Sequence, residues 1–318
     1  MRIFHSIRDA EGLRGCSVAL GNFDGVHKGH QALFAEARAH GPAVALTFDP
    51  HPGKVLQPEL APKLITTRAR KLELFEELGL TATLLLPFTR EYATTTPAAF
   101  EASLLDELGA KHLVVGADFT YGTKRGGTVE TLQAAAAKRG AQVHVVPAVT
   151  IGGVVVSSSK VREYILEGRV DAAEKLLGRP FDLDGRVVSG MGRGRTIGFP
   201  TANVDTANEL RPAAGVYAVR VKLLPNANSQ PSGNGAWLPG AANIGVKPTF
   251  GGSEVTVEVH LIDFSGDLYG REVRVQFLER LRPEQRFGSP EELATQIRRD
   301  VESARTVAAR VLDTPRGG

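Results

Sequence analysis

The first 180 residues alternate short strand-like runs with helical runs, a pattern that leaves few architectures open. Apolar runs stand at "SVAL" (17–20), "AVALTF" (43–48), "TLLL" (83–86), "HLVVG" (112–116) and "AQVHVVP" (141–147). Between them lie "RARKLELFEELG", where Leu72, Phe75 and Leu78 recur, then "AAFEASLLDELG" and "TVETLQAAAAKRG". Each of these ends on a glycine, Gly79, Gly109 and Gly140, in the position that stops helices. Strands alternating with helices predict a parallel sheet with helices on both faces. Ligands of such sheets bind beyond the carboxyl ends of the strands. Two further helical pieces, "SKVREYILEG" and "VDAAEKLLG", close this half.

After about residue 180 the period changes from helical to two. "EVTVEVHLID" (254–263) puts Val255, Val257, Val259 and Leu261 on one face and Thr256, Glu258 and His260 on the other. "GVYAVRVKLL" and "EVRVQFLERL" are also strand-like, with "DLDGRVVSG" as a shorter example. These predict an antiparallel sheet or small barrel. The stretch 225–240, "PNANSQPSGNGAWLPG", reads as one long loop. A final helix is predicted from Ser289, Pro290 and Glu292, which match a capping box with proline at the first position. Leu293, Ile297 and Val301 make its buried stripe. With 318 residues and about 150 per domain, two domains are expected, at 1–180 and 181–318.

Composition removes some classes of function. The 38 basic and 35 acidic residues leave a charge of +3, too balanced to argue for nucleic acid or membrane on charge alone. The single cysteine, Cys16, excludes an intrachain disulfide and reads as a small core residue. No apolar run approaches the ~20 residues of a membrane span, and "MRIFHSIRDAEG" lacks the apolar core of a signal peptide. A cytoplasmic protein is expected.

Where the first strand turns into the first helix the chain reads "GNFDGVHKGH" (21–30). The helix continues through Leu33, Phe34 and Ala37, so His27 and His30 sit at its start. A helix N-terminus offers unpaired N–H groups and a positive dipole end, which suits a phosphate. Exposed structural histidines are the plainer reading of that motif taken alone. "DPHP" (49–52) and "GADFTYG" (116–122) lie beyond other strand ends. No Walker A sequence occurs, since Gly53-Lys54 runs into Val55. "SGMGRGRTIGFPTAN" (189–203) reads equally as a phosphate flap with Arg193 and Arg195 or as a flexible hairpin. "SSSKVRE" (157–163) reads by itself as a helix cap, and Glu258 as one more solvated carboxylate or as a general base. No transition-metal spacing is visible.

In this order "GNFDGVHKGH", "FDPHP", "VGADFTYGTKRGG" and "VSSSKVRE" resemble the nucleotidyltransferase module of bacterial bifunctional riboflavin kinase/FMN adenylyltransferases (FAD synthetases). "GRTIGFPTANV", "GVYAVRV", "ANIGVKPTF", "VEVHLIDFSGDLYG" and "LRPEQRF" resemble the riboflavin kinase module. Nine blocks in order cover nearly the whole chain. The resemblance implies a Rossmann-like α/β domain followed by a six-stranded antiparallel β-barrel ending in a helix. It implies two reactions: riboflavin and ATP give FMN, then FMN and a second ATP give FAD and pyrophosphate.

The resemblance also implies roles. His27 and His30 would contact ATP phosphates, in a loop shaped by Gly21, Asn22, Phe23 and Asp24. His51, Asp118, Phe119 and Tyr121 would line the nucleotide or flavin pocket, and Arg125, Ser158, Ser159 and Arg162 would complete the phosphate site. In the second half Thr201 and Asn203 would meet Mg²⁺, which arrives with ATP. Gly192, Arg193 and Gly194 would form the flap, and Glu258 would take the proton of the ribityl 5′-hydroxyl. "LRPEQRF" and the last helix would flank the isoalloxazine. The chain departs from the family pattern in its long 225–240 loop and in Asp118, where some relatives carry Asn. Lys124 beside Arg125 leaves two candidates for one phosphate.

The partners implied are riboflavin, FMN and ATP, with no nucleic acid and no membrane, and a weak homo-oligomer stays open. Two alternatives remain. One is a chain that retains a single activity. The other is a flavin- or RNA-binding module without turnover, since H-x-G-H also marks class I aminoacyl-tRNA synthetases.

Overall fold

The computed structural model describes residues 1–189, 198–225, 236–249 and 252–313. The chain divides into two compact units, residues 1–158 and 159–318. The division falls at the start of a helix, so the two helical pieces at 158–177 count with the second unit, although the change of sequence period comes at 180.

The first unit is a parallel sheet with strand order β1-β4-β3-β2-β5-β6. Its strands are β1 (Arg2–Phe4), β2 (Ser17–Leu20), β3 (Ala43–Asp49), β4 (Ala82–Pro87), β5 (His112–Gly116) and β6 (Gln142–Val146). All five expected strands are present, and the three-residue β1 pairs with β4 at the edge. Strands β2, β3 and β4 are buried almost throughout, which is why they read as unbroken apolar runs. The helices are α1 (Lys28–Ala39), α2 (Pro52–Leu56), α3 (Arg68–Glu77), α4 (Pro97–Ala102) and α5 (Val129–Ala137). Helix α1 buries Leu33, Phe34 and Ala37 against the sheet. In α3 the buried apolar residues are Leu74 and Phe75, with Leu72 and Leu78 half-buried beside them. The run "SLLDE" after α4 is wound as a π-turn, Ser103–Glu107, rather than continuing the α-helix. Because β3 lies on one side of β2 and β5 on the other, the chain reverses direction across the sheet at β2. The crevice beyond that strand's carboxyl end is the expected ligand position, and "GNFDGVHKGH" begins there.

Helix α6 (Ser158–Leu166) begins on the last residue of the first unit and runs into the second, where α7 (Val170–Leu177) follows. A closed barrel follows, ordered β10-β13-β12-β11-β14-β9. Its strands are β9 (Phe181–Val188), β10 (Ala202–Thr206), β11 (Gly215–Leu223), β12 (Leu238–Thr249), β13 (Gly252–Leu261) and β14 (Glu272–Arg282). Every neighbouring pair in it is antiparallel. Closure leaves no exposed edge. Helix α7 packs on β14 and β9. A two-stranded hairpin, β7 (Thr150–Ile151) and β8 (Val154–Val155), lies in the first unit.

Three expectations change. Leu238–Gly240, read as the end of a loop, begins β12 and pairs with β11. Ala202–Thr206, lacking an apolar run, forms β10 because its neighbours β9 and β13 supply both ladders. The last helix, α8 (Pro290–Asp313), is capped as expected, Ser289 Oγ accepting from Glu292 N at 3.2 Å. The Glu292 carboxylate, however, accepts from Gly288 N at 2.9 Å, one residue earlier than a capping box requires. Its stripe is divided: Leu293, Ile297 and Val301 border a cavity, and Ala304, Val307 and Ala308 pack on Ala218, Ile262 and Leu278.

Candidate functional site

Each unit holds its own constellation. In the first, His27 is the N-cap of α1, and its Nδ1 accepts from His30 N at 3.3 Å. The two rings stack, with centroids 3.5 Å apart. Gly29 permits this, since a Cβ there would sit 3.2 Å from the His27 ring. His30 also meets the Phe23 ring edge-on at 5.3 Å. Its Nδ1 is buried and has no hydrogen-bond partner. Burial above all, then the nearby His27 and Lys71, hold its imidazole well below the usual value, so it is neutral at pH 7.

The loop before α1 is strained. Phe23 (φ 52°) and Val26 (φ 46°) both lie in the left-handed region. That region costs non-glycine residues roughly 1–2 kcal/mol each. Asp24, 5 % exposed, restrains the loop. Its carboxylate accepts from Ile65 N at 3.0 and 3.2 Å and from Thr66 N at 3.3 Å. Thr66 Oγ1 accepts from Gly25 N at 3.3 Å. Ser158 Oγ donates to Asp24 O at 2.9 Å. The carbonyl of Asn22 accepts from Thr47 Oγ1 at 3.0 Å and from Lys71 Nζ at 3.4 Å. Burial lowers the Lys71 ammonium, while Asp24 and Asp49 oppose that shift.

His51 is the N-cap of α2, its Nδ1 accepting from Gly53 N at 3.1 Å. Asp118 is exposed and Phe119 half-buried. Tyr121 is buried, stacked on Phe119 and packed on Phe100. Its hydroxyl lies 2.6 Å from Glu101 Oε1 and 3.1 Å from Thr131 Oγ1, so the hydroxyl end of the ring is anchored within the fold. Lys124 and Arg125 both have positive φ, 53° and 58°, and Arg125 Nε donates to Thr120 Oγ1 at 2.9 Å. Ser159 and Arg162 follow on α6 within the second unit.

In the second unit a cavity of about 760 Å³ opens beside the barrel. Thr201, Glu258, His260 and Asn243 line one wall, and Phe287, Leu293 and Ile297 the other. Register explains the polar wall: Glu258 is paired with Asn203 on β10 and with Asn243 on β12. The predicted alternation holds, with Val257 and Val259 buried and Glu258 facing the cavity. His260 also lines it, its Nδ1 2.9 Å from Pro200 O and its ring edge-on to Phe199. Gly192, Arg193 and Gly194 lie outside the described residues.

Several side chains of these sites escaped the sequence reading. Lys71 is one charged residue of many in "RARKLELFEELG", and only the fold brings it beside His30. Asn243 sits in a glycine-rich strand without alternation. Arg282 clamps Asp300 with contacts of 2.8–3.1 Å, and Gln296 Nε2 donates to Asp300 at 2.9 Å. This fixes α8 to the end of β14 at the cavity wall. A third group, His40, His112 and His144, brings three imidazoles together in the first unit.

Comparison with known proteins matches each half of the chain to a family. Residues 9–160 match the model of the FAD synthetase family, and residues 177–308 match that of the riboflavin kinase family. The chain is 40% identical over 316 residues to a bifunctional riboflavin kinase/FMN adenylyltransferase of Pseudomonas fluorescens, covering 97% of each. It is 40% identical over 311 residues to that of Escherichia coli K12, covering 96% of each. A crystal structure described as a macrolide-efflux protein from Streptococcus pneumoniae superposes with a TM-score of 0.85 at 34% identity, covering 95% of this chain and 98% of the other. Among the described residues of this chain no helix is long and apolar enough to cross a membrane.

Proposed function

Because this chain belongs to the family of bifunctional riboflavin kinase/FMN adenylyltransferases, making FMN and then FAD, we propose how its residues divide that work. The part up to residue 180 carries adenylyl transfer and the part from 181 carries the kinase. The substrates are riboflavin, FMN and ATP, and Mg²⁺ enters with ATP. A near-balanced charge supports small-molecule partners over nucleic acid, and a single cysteine suits the cytoplasm.

In the kinase step the ribityl 5′-hydroxyl attacks the γ-phosphorus of ATP while Glu258 takes its proton. Asn203 and Asn243, paired on either side of Glu258, hold the carboxylate's surroundings polar. Thr201 and Asn203 are neutral oxygen donors without a carboxylate cage. That set suits Mg²⁺, which keeps waters and phosphate ligands. The flavin ring lies on the apolar wall of Phe287, Leu293 and Ile297, in a cavity of the size small-molecule sites have. Arg282 and Asp300 hold that wall in place.

In the second step a phosphate oxygen of FMN attacks the α-phosphorus of ATP and pyrophosphate leaves. His27 and His30 meet the departing phosphates at the positive end of α1. His30, neutral, donates a hydrogen bond rather than a full charge, and Lys71 beside it supplies the cation. Gly21, Asn22, Phe23 and Asp24 shape the loop, and the Ser158 hydroxyl holds its backbone at Asp24. Arg125, Ser159 and Arg162 add donors to phosphate. His51, Asp118, Phe119 and Tyr121 border the nucleotide or flavin. Gly192, Arg193 and Gly194 cover phosphate in the kinase half.

The observation that carries the histidine assignment is the buried, unpartnered Nδ1 of His30 at a helix start beyond the sheet's reversal point. Buried polar atoms without partners are rare enough to need a reason. The double variant His27→Ala, His30→Ala is expected to accumulate FMN from riboflavin and make no FAD. FAD formed at the wild-type rate would reduce both histidines to structural residues.

A further inference from the structure

We propose that His40, His112 and His144 form a binding site for a divalent transition-metal ion of the Zn²⁺ class, with Glu36 orienting the imidazoles of His40 and His144. The three histidines are 72 and 32 residues apart in sequence, and the fold alone assembles them. His40 caps the C-terminal end of α1. His112 opens β5, and His144 lies on the adjacent β6, paired with Val114. One ring nitrogen from each lies within 4.8 Å of those of the other two. All three side chains are half-buried.

The spacings are close to those an ion needs. Zinc binds imidazole nitrogen at about 2.0–2.1 Å, so two nitrogens on a tetrahedral ion stand roughly 3.3 Å apart. His112 Nδ1 is 3.0 Å from His144 Nε2. The rings of His40 and His144 stack at 3.8 Å, and those of His40 and His112 at 4.9 Å. The His40 ring must turn out of this stack for the in-plane lone pairs to converge, but the three nitrogens already lie within 4.8 Å of one another. Glu36 Oε1 lies 2.9 Å from His40 Nε2 and 3.5 Å from His144 Nδ1. A carboxylate on the second nitrogen of a ligating histidine fixes its tautomer and raises its basicity.

One further feature fits a bound ion. An open groove of about 550 Å³, lined by Ala32, Ala35, Glu36 and His144 among others, gives an ion a route in. Nitrogen donors select Zn²⁺, Co²⁺, Ni²⁺ or Cu²⁺ over Mg²⁺. The site is also separate from the phosphate histidines. His27 and His40 cap opposite ends of the 12-residue α1, roughly 18 Å apart.

The test is equilibrium dialysis of the chelator-stripped full chain against Zn²⁺ alone, without ATP, flavin or Mg²⁺. One Zn²⁺ per chain is expected, with affinity lowered about 10- to 100-fold in Glu36→Gln and by more than that in His144→Ala. The His27→Ala, His30→Ala variant should bind as wild type. Absence of micromolar binding, equal binding by His144→Ala, or loss of binding in the His27/His30 variant would each overturn the proposal. A footprint on the wild type needs no variant. Zn²⁺ should protect His40, His112 and His144 together from carbethoxylation, and unchanged labelling of the three also overturns it.

Discussion

Asp24 holds the strained loop ahead of α1, and removing its carboxylate should separate the two activities. Two buried backbone donors, Ile65 N and Thr66 N, point at it. A hydrogen bond to a charged group contributes about 1.5–3 kcal/mol, so the pair amounts to about 3–6 kcal/mol. Opposing it is the left-handed backbone of Phe23 and Val26, together about 2–4 kcal/mol. Asp24→Ala removes the first quantity and leaves the second, so the loop should relax out of its active shape. If about 3 kcal/mol of positioning is lost, FAD formation from FMN falls about 100-fold. FMN formation from riboflavin should stay at the wild-type rate, because that chemistry lies in the other unit. Asp24→Asn keeps one oxygen for the same donors and should lose less. The assay is chromatography of products from riboflavin or FMN with ATP, alongside thermal melts. Asp24→Ala making FAD at the wild-type rate would refute the restraint argument, and equal loss of both activities would refute the separation.

Other expectations follow from the same reasoning. Asp300→Ala leaves the half-buried Arg282 guanidinium without its carboxylate, which should cost about 2 kcal/mol of stability and raise the KM for riboflavin; unchanged urea unfolding and an unchanged KM would contradict this. Burial pushes the Cys16 thiol up to about 11, so a thiol reagent at pH 7.5 should label the native chain at least about 100-fold more slowly than the unfolded chain; rapid native labelling would contradict it. His30 is held below the ordinary 6.5, so below that pH the unfolded chain binds a proton that the folded chain refuses. Stability should therefore be fully present above pH 6.5 and fall on acidification, with a shallower fall in His30→Asn; identical pH profiles would contradict it.

Much of the architecture was legible because burial imposes periods. The apolar runs of β2, β3 and β4 are buried on both faces, and the strict alternation at 255–261 has one buried face, so pattern and structure coincide. Strand β10 was not legible, because "ANVDT" is held by ladders on both sides rather than by its own apolar residues. The start of β12 was hidden by proline and glycine, which punctuate loops far more often than barrels. At the candidate sites, His27 and His30 stood out because a strand end and a helix start flank them in sequence. Lys71, Asn243 and Asp300 did not, since each reaches its site through tertiary contacts alone. The His40, His112 and His144 cluster could not be seen as a spacing, since neighbouring parallel strands bring together residues far apart in the chain.

The most direct measurement is a chromatographic time course of Glu258→Gln and wild type, each given riboflavin or FMN with ATP and Mg²⁺. Wild type should turn riboflavin into FMN first and FAD later. The variant should leave riboflavin untouched yet convert supplied FMN to FAD at the wild-type rate. A variant that phosphorylates riboflavin normally would contradict the assignment of Glu258 as the base.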